Sequence, residues 1–454
     1  MDNTVRRAKF SEVFRYGFGG IGSNIAFMLV MMYLMFFYTD FLGINAAAVG
    51  GLFLVSRFID AVTDPVMGMI ADRSNSKMGK YRPWVIVGAP ILGFLVVLLF
   101  SSPNFSAGAK LVYVYVTYIL YSLVSTVVNI PYHSLTPVLS EDSDQRTVIA
   151  TAKQLLGQVG FAVVMVGAIP ITTALGGDAR AWQLYAFICA VLITLSFYIC
   201  AWGAKKHDTP EVYKKNAVNG SDEKISLKEQ FQLIYKNKDV LMLMIAFGTD
   251  MIAYASANAV NMYYFKYAVG RPDLIPLTSG VGLLIGIAVS FTIPFLSKKF
   301  GKKVIFMTAS ATLMVVSSVL FFIPFTSINL IIAQAIVYAG LGPFTGVVGW
   351  AMLADCVDYG EWITGKRGAG TVSSQLTFIN KLGMAIGGML AGVILACVGY
   401  VAGQEQTPEV LNAIAGVKAF FPALGYICSL ISMSFYPITK DFYEKMIADN
   451  KARA

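Results

Sequence analysis

Two aspartates, Asp60 and Asp64, stand four residues apart in the apolar stretch GLFLVSRFIDAVTDPVMGMIA, residues 51–71. Four residues is just over one helical turn, so both carboxylates leave the same face of one helix. If that helix crosses a membrane, each charge there is expensive unless something compensates it. Two like charges on one face also repel, so a bound cation or proton is the natural compensation. The opposing reading is a structural ion pair with Arg57 or Lys381, but two acids over-supply a single partner. Other polar residues share this kind of setting. The stretch YSLVSTVVNIPYHSLTP (121–137) carries Ser125, Thr126, Asn129 and His133, and Asn129 and His133 share a face at i, i+4. Ser23 and Asn24 follow GFGGIG, while Lys153 and Lys381 sit in later apolar segments. Each lysine could neutralise the aspartates or bind hydroxyls and anionic groups of a ligand. His133 reads as a hydrogen-bonded interior residue more readily than as a proton carrier. Asp250, near the start of its segment, reads as an interface residue with no specific role.

The elements that position these groups are membrane helices. The chain is 56% hydrophobic and 13% charged, against about 25% charged for a soluble domain. Twelve apolar segments are long enough to span, near 17–38, 46–70, 83–101, 109–136, 150–173, 181–202, 239–266, 275–296, 303–324, 327–354, 372–401 and 414–437. The fold class expected is an all-α integral membrane protein. The net charge of +9 raises nucleic acid as a partner, but its distribution argues against one. Arg6, Arg7, Lys9, Arg73, Lys77, Lys80, Arg82, Lys298, Lys299, Lys302 and Lys303 all fall on one side of an even helix count. Lys110, Arg180 and Arg271 mark the sparse opposite side. That asymmetry places both termini in the cytoplasm, in the plasma (inner) membrane. The basic start runs into a long span, so no cleavable signal is read there. The five cysteines show no metal-like spacing and read as small core residues.

The longest polar stretch, 204–238, falls between the sixth and seventh segments. It divides the chain into a first six-helix bundle (1–203), a middle loop (204–238), a second bundle (239–440) and a tail (441–454). Within the loop, ISLKEQFQLIYKN reads equally as an amphipathic surface helix or a solvated connector. GMIADRSNSKMGKYRP after the second segment and FLSKKFGKKV after the eighth both place glycine and several cations just beyond a span. Two related halves of six are the pattern of a rocking transporter. No GxSxG, HExxH or P-loop is present, and two histidines exclude a multi-histidine metal centre. An enzyme or a receptor-like binding module is therefore disfavoured.

The stretches FIDAVTDPVMGMIADRSNSKMGKYRPW (58–84), VVNIPYHSLTP (127–137) and ADCVDYGEWITGKRG (354–368) resemble the signatures of the glycoside–pentoside–hexuronide:cation symporters. The similarity runs over essentially the whole chain. It implies the major facilitator superfamily fold, two bundles of six helices, and coupled uptake of a sugar with H⁺ or Na⁺ by alternating access. It implies a monomer, with sugar, cation and lipid bilayer as partners and no cofactor beyond the coupling ion. On matching positions, Asp60 and Asp64 correspond to the cation-site acids, the metal ligands if the ion is Na⁺, and Thr126 to a cation-site hydroxyl. Asn129 belongs to both the cation-binding and the substrate-binding sets. Asn24, His133 and Lys153 correspond to substrate contacts, and Lys381 to a lysine near the site. The melibiose-carrier pattern has Asp at Asn24 and Asn129, Trp at His133 and Arg at Lys153. Losing the acid at Asn129 tilts the expectation towards H⁺, and losing the one at Asn24 makes an anionic hexuronide more acceptable. A lysolipid or other amphiphile is the alternative cargo on the same fold.

Overall fold

The computed structural model describes residues 7–74, 76–140, 143–210, 238–364 and 369–439, with 442–443, 445–446 and 449. Among them, eleven helices are each long and apolar enough to cross a membrane, and a bent helix pair makes a twelfth if the two pieces form one span. In the first unit these are α1 (Phe10–Asp40), α2 (Ala46–Arg73), α3 (Arg82–Leu99), α4 (Ala107–Leu139), α5 (Ser143–Ala174) and α6 (Ala179–Gly203). In the second unit α7 (Lys238–Ala259) continues through Asn261–Tyr263 and Tyr264–Ala268. After it come α8 (Leu274–Ser290 bent into Ile293–Phe300), α9 (Lys302–Phe322), α10 (Ile328–Thr364), α11 (Ala369–Cys397) and α12 (Pro408–Ser434).

Local chemistry sets several boundaries. Asn45 caps α2, its Oδ1 accepting from Ala47 N at 2.8 Å, and Asp178 caps α6 by accepting from Ala181 N at 2.8 Å. Pro408 opens α12, where a missing N–H costs nothing. The eighth segment was expected as one run, but it bends by 47° around residues 291–292. Pro294 sits in the first turn of the second piece and cannot donate back across the break. α10 runs ten residues past the expected end at 354, because hydropathy marks only the apolar part of a helix and DCVDYGEWIT stays helical beyond it.

The chain divides into two compact units, Met1–Asp222 and Glu223–Ala454. Each is built by the same five helix pairings. In the first, α1 packs on α5 and α6, α3 on α4 and α6, and α2 on α4. In the second, α7 packs on α11 and α12, α9 on α10 and α12, and α8 on α10. The first span of each unit also contains a five-residue π-helical segment, Val30–Leu34 and Tyr264–Ala268. The loop echo in the sequence is thus matched by repeated packing. Large apolar side chains point outward, among them Phe94, Leu284, Phe291 and Ile431, while Ser56, Asp60, Thr126, Asp250 and Asp355 are buried. That inversion is what a hydrocarbon solvent selects.

Of the cysteines expected in the core, Cys189, Cys200 and Cys356 are buried, but Cys397 and Cys428 are exposed. A thiol is apolar enough to face lipid as readily as a core. Most of the middle loop, 211–237, and most of the tail lie outside the described residues.

Candidate cation and substrate site

α2 and α4 lie side by side in the first unit, and the i, i+4 steps of the two helices come into register. Ser122 and Thr126 on α4 stand four apart, as Asp60 and Asp64 do on α2. Ser122 Oγ donates to Asp60 Oδ1, and Thr126 Oγ1 donates to Asp64 Oδ1 at 2.8 Å. Each acid therefore meets one hydroxyl, in two rungs. Arg57, one turn before Asp60, closes the cluster: its Nη1 donates to Asp60 Oδ2 at 2.6 Å. Asp60 is 3% exposed, so this pair is desolvated and both partners matter. The ion-pair reading of the acids holds for Asp60 with Arg57, while Asp64 takes the Thr126 hydroxyl. Thr63 Oγ1 and Arg57 Nε are buried beside them without a hydrogen-bond partner among the described residues.

The α4 face continues beyond the rungs. Ser122, Thr126, Asn129 and His133 follow at steps of four, three and four, a row of about 16 Å along the axis. Asn129 is occupied with tying helices together. Its Oδ1 accepts from Ser23 Oγ of α1 at 2.7 Å, and its Nδ2 donates to Ser125 O at 2.9 Å and to Ser125 Oγ at 3.1 Å. His133 is exposed rather than interior. Its Nδ1 is hydrogen-bonded to Lys153 Nζ at 2.6 Å. The lysine ammonium also lies 5.0 Å from the centre of the Tyr132 ring.

Lys153 reaches this point because α1 and α5 pack backbone to backbone. A Cβ at Gly20 would lie 2.4 Å from Lys153 O, and one at Gly160 would lie 2.4 Å from Ile21 O. Asn24 faces the same seam: its Nδ2 donates to Gly20 O at 3.0 Å and lies where a Cβ on Gly157 would go. Tyrosines fix α4 against α1. Tyr16 Oη donates to Tyr132 O at 2.9 Å, and Tyr121 Oη donates to Ala26 O at 2.9 Å.

The predicted residues of the first unit thus form a row rather than one cluster. The acid pair and Thr126 stand at one end and Lys153 and His133 at the other, with Asn129 tied to α1 through Ser23 between them and Asn24 bonded within α1. Lys381 belongs to α11 in the second unit, where it is half-buried. Sequence reasoning missed Ser122. Its signal was present, since it lies four residues before Thr126 on the same face.

The chain matches the family described as MFS/sugar transport protein over residues 15–440. The chain belongs to that family. Two curated relatives show how far this MFS sugar-transport protein resembles its kin. The isoprimeverose transporter of Lactiplantibacillus pentosus is 34% identical over 448 residues, covering 97% of this chain and 91% of that protein. The inner membrane symporter YicJ of Escherichia coli (strain K12) is 34% identical over 433 residues, covering 94% and 92%. The crystal structure of the nucleoside transporter NupG superposes with a TM-score of 0.67, covering 95% of this chain and 100% of that one. At 13% identity that likeness speaks for the fold alone. The resemblance to the glycoside–pentoside–hexuronide:cation symporters is therefore upheld, as are the helical major facilitator fold and a multi-pass membrane protein.

Proposed function

We propose that this chain imports a sugar (a glycoside, pentoside or hexuronide) together with a coupling cation, by alternating access in the cell membrane with both termini cytoplasmic. The observation that carries the reading is the pair of rungs between α2 and α4, with Arg57 on Asp60. Arg57 donates to Asp60 and Thr126 donates to Asp64, so the two acids have different partners. On this reading Asp64 is the coupling acid, Thr126 its hydroxyl partner, and Asp60 the anchor.

A proton is the coupling ion this arrangement supports best. Asn129 stands on this face where a third acid would add negative charge for a sodium ion. Neutralising one carboxylate with a proton needs no third acid. At the other end of the row, Lys153 and His133 present a cation and a ring for sugar hydroxyls or a carboxylate, with Asn24 beside them. Lys381 is assigned to substrate on the family resemblance. Binding the ion and the sugar on one α4 face couples them, and by linkage each raises the affinity of the other by the same factor. The relatives' names support sugar as cargo.

The test is uptake of glycosides, pentosides and hexuronides into membrane vesicles under an imposed pH or Na⁺ gradient. Accumulation driven by the pH gradient, and its loss in Asp64→Asn with counterflow retained, is the expected result. Accumulation by Asp64→Asn equal to that of the unaltered chain sinks the coupling role, and a Na⁺-only response replaces the proton.

A further inference from the structure

A second acid stands apart from the row just described. Asp250 lies within α7, in the second unit, and is 5% exposed. Neither of its carboxyl oxygens has a hydrogen-bond partner among the described residues. Ser429 Oγ, the hydroxyl facing it from α12, is also buried, and among the described residues nothing stands within hydrogen-bond distance of it. Phenols lie on the same side. Tyr338 of α10 and Tyr426 of α12 hydrogen-bond to each other at 3.0 Å, and Tyr254 lies one turn on along α7.

The crossing of α7 and α12 makes this enclosure. A Cβ on Gly425 would lie 2.6 Å from Ala253 Cβ and 2.7 Å from Thr249 O, so only glycine lets the two backbones approach at this level. Tyr426 and Ser429, one and four residues on, are thereby brought against Asp250. α11 also packs on α7, with Gly383 against Gly248 and Met251. Among the described residues no cation is hydrogen-bonded to Asp250.

The carboxyl is thus surrounded by neutral hydroxyls in a helix that crosses the membrane. An ionised carboxylate without a counter-charge is among the costliest groups to hold there. Binding H⁺ removes the charge and turns one carboxyl oxygen into a donor. The Ser429 and Tyr hydroxyl oxygens are its nearby acceptors.

We propose that Asp250 is a proton-binding site of the second unit, held as a neutral carboxylic acid and independent of the Asp60 and Asp64 pair. The inference does not rest on the coupling role of Asp64, and the test separates the two.

Infrared spectra of the full chain in liposomes at neutral pH, in H₂O and D₂O, report protonated carboxyls directly. The expected result is a carboxylic-acid C=O band that shifts in D₂O, is lost in Asp250→Asn and survives in Asp64→Asn. Asp250→Glu keeps the acid, so it moves the band rather than removing it, and serves should the Asn variant fail to fold. If Asp250→Asn removes a carboxylate band instead, or Asp250→Glu leaves every acid band in place, the proposal is overturned. Disappearance of the band on adding Na⁺ at constant pH overturns it too, because the site would then take sodium.

Discussion

Asp60 and Asp64 differ in their partners although they share a helix face. Arg57 donates to the first, and Thr126 donates to the second. Removing the guanidinium strands Asp60 in a buried site, so Arg57→Ala should cost about 3–5 kcal/mol of stability. Ser122→Ala removes one hydrogen bond to a charged group and should cost about 1.5–3 kcal/mol. Thermal unfolding of the detergent-purified chain ranks the two. A Ser122→Ala loss equal to or larger than that of Arg57→Ala would mean that the hydroxyl, not the ion pair, holds Asp60. The spacing of Asp60 and Asp64 was legible in the sequence, but the division of labour was not. Arg57 could have reached either acid across a turn, and rotamer and packing decide which.

Among the elements, α4 matters most to the site because it carries Ser122, Thr126, Asn129 and His133 on one face. Its position depends on α1, through Tyr16, Tyr121 and the Ser23–Asn129 contact. α1 in turn is clamped to α5 by the glycine seam that sets Lys153. Gly160→Val places two branched carbons against Ile21 O and must push the helices apart. Overpacking of this kind costs about 1–3 kcal/mol. Because Lys153 rides on α5, the shift should also weaken sugar binding, read as a raised half-saturation for sugar in uptake. Gly68→Ala, on α2 with open space around its Cβ, is the control and should leave uptake unchanged. A Gly160→Val transporter with unaltered sugar affinity would show that the seam does not position the substrate end. The glycines were readable as close-packing residues. Which neighbour each one admits was not, because that depends on partners more than a hundred residues away.

On the scale of the whole molecule, the two units repeat the same five pairings and the same π-helical break in the first span. Their span count fixes the topology by parity. Eleven straight spans alone would put the termini on opposite faces. The bent α8 restores an even count if it crosses. Alkaline phosphatase, active only outside the cytoplasm, should therefore stay inactive when fused to the C-terminus and be active when fused after Gly270. An active C-terminal fusion would mean that α8 does not cross. The charge asymmetry of the loops already pointed this way, because long-range transfer costs of Lys and Arg leave a compositional trace.

The sequence by itself determined a membrane-spanning helical chain in two halves, with two acids on one helix face and a family signature around them. Hydropathy and helical periodicity are local properties, and a single strand of sequence states them in full. Only the tertiary structure decided that Arg57 takes Asp60, that Ser122 joins Thr126, and that Asn129 ties α1 to α4 through Ser23 and Ser125. It also decided that Asp250, which looked like an interface residue, lies buried among hydroxyls. These are contacts between helices distant in sequence, and side-chain partners across a helix interface are set by register and close approach, which no one segment encodes.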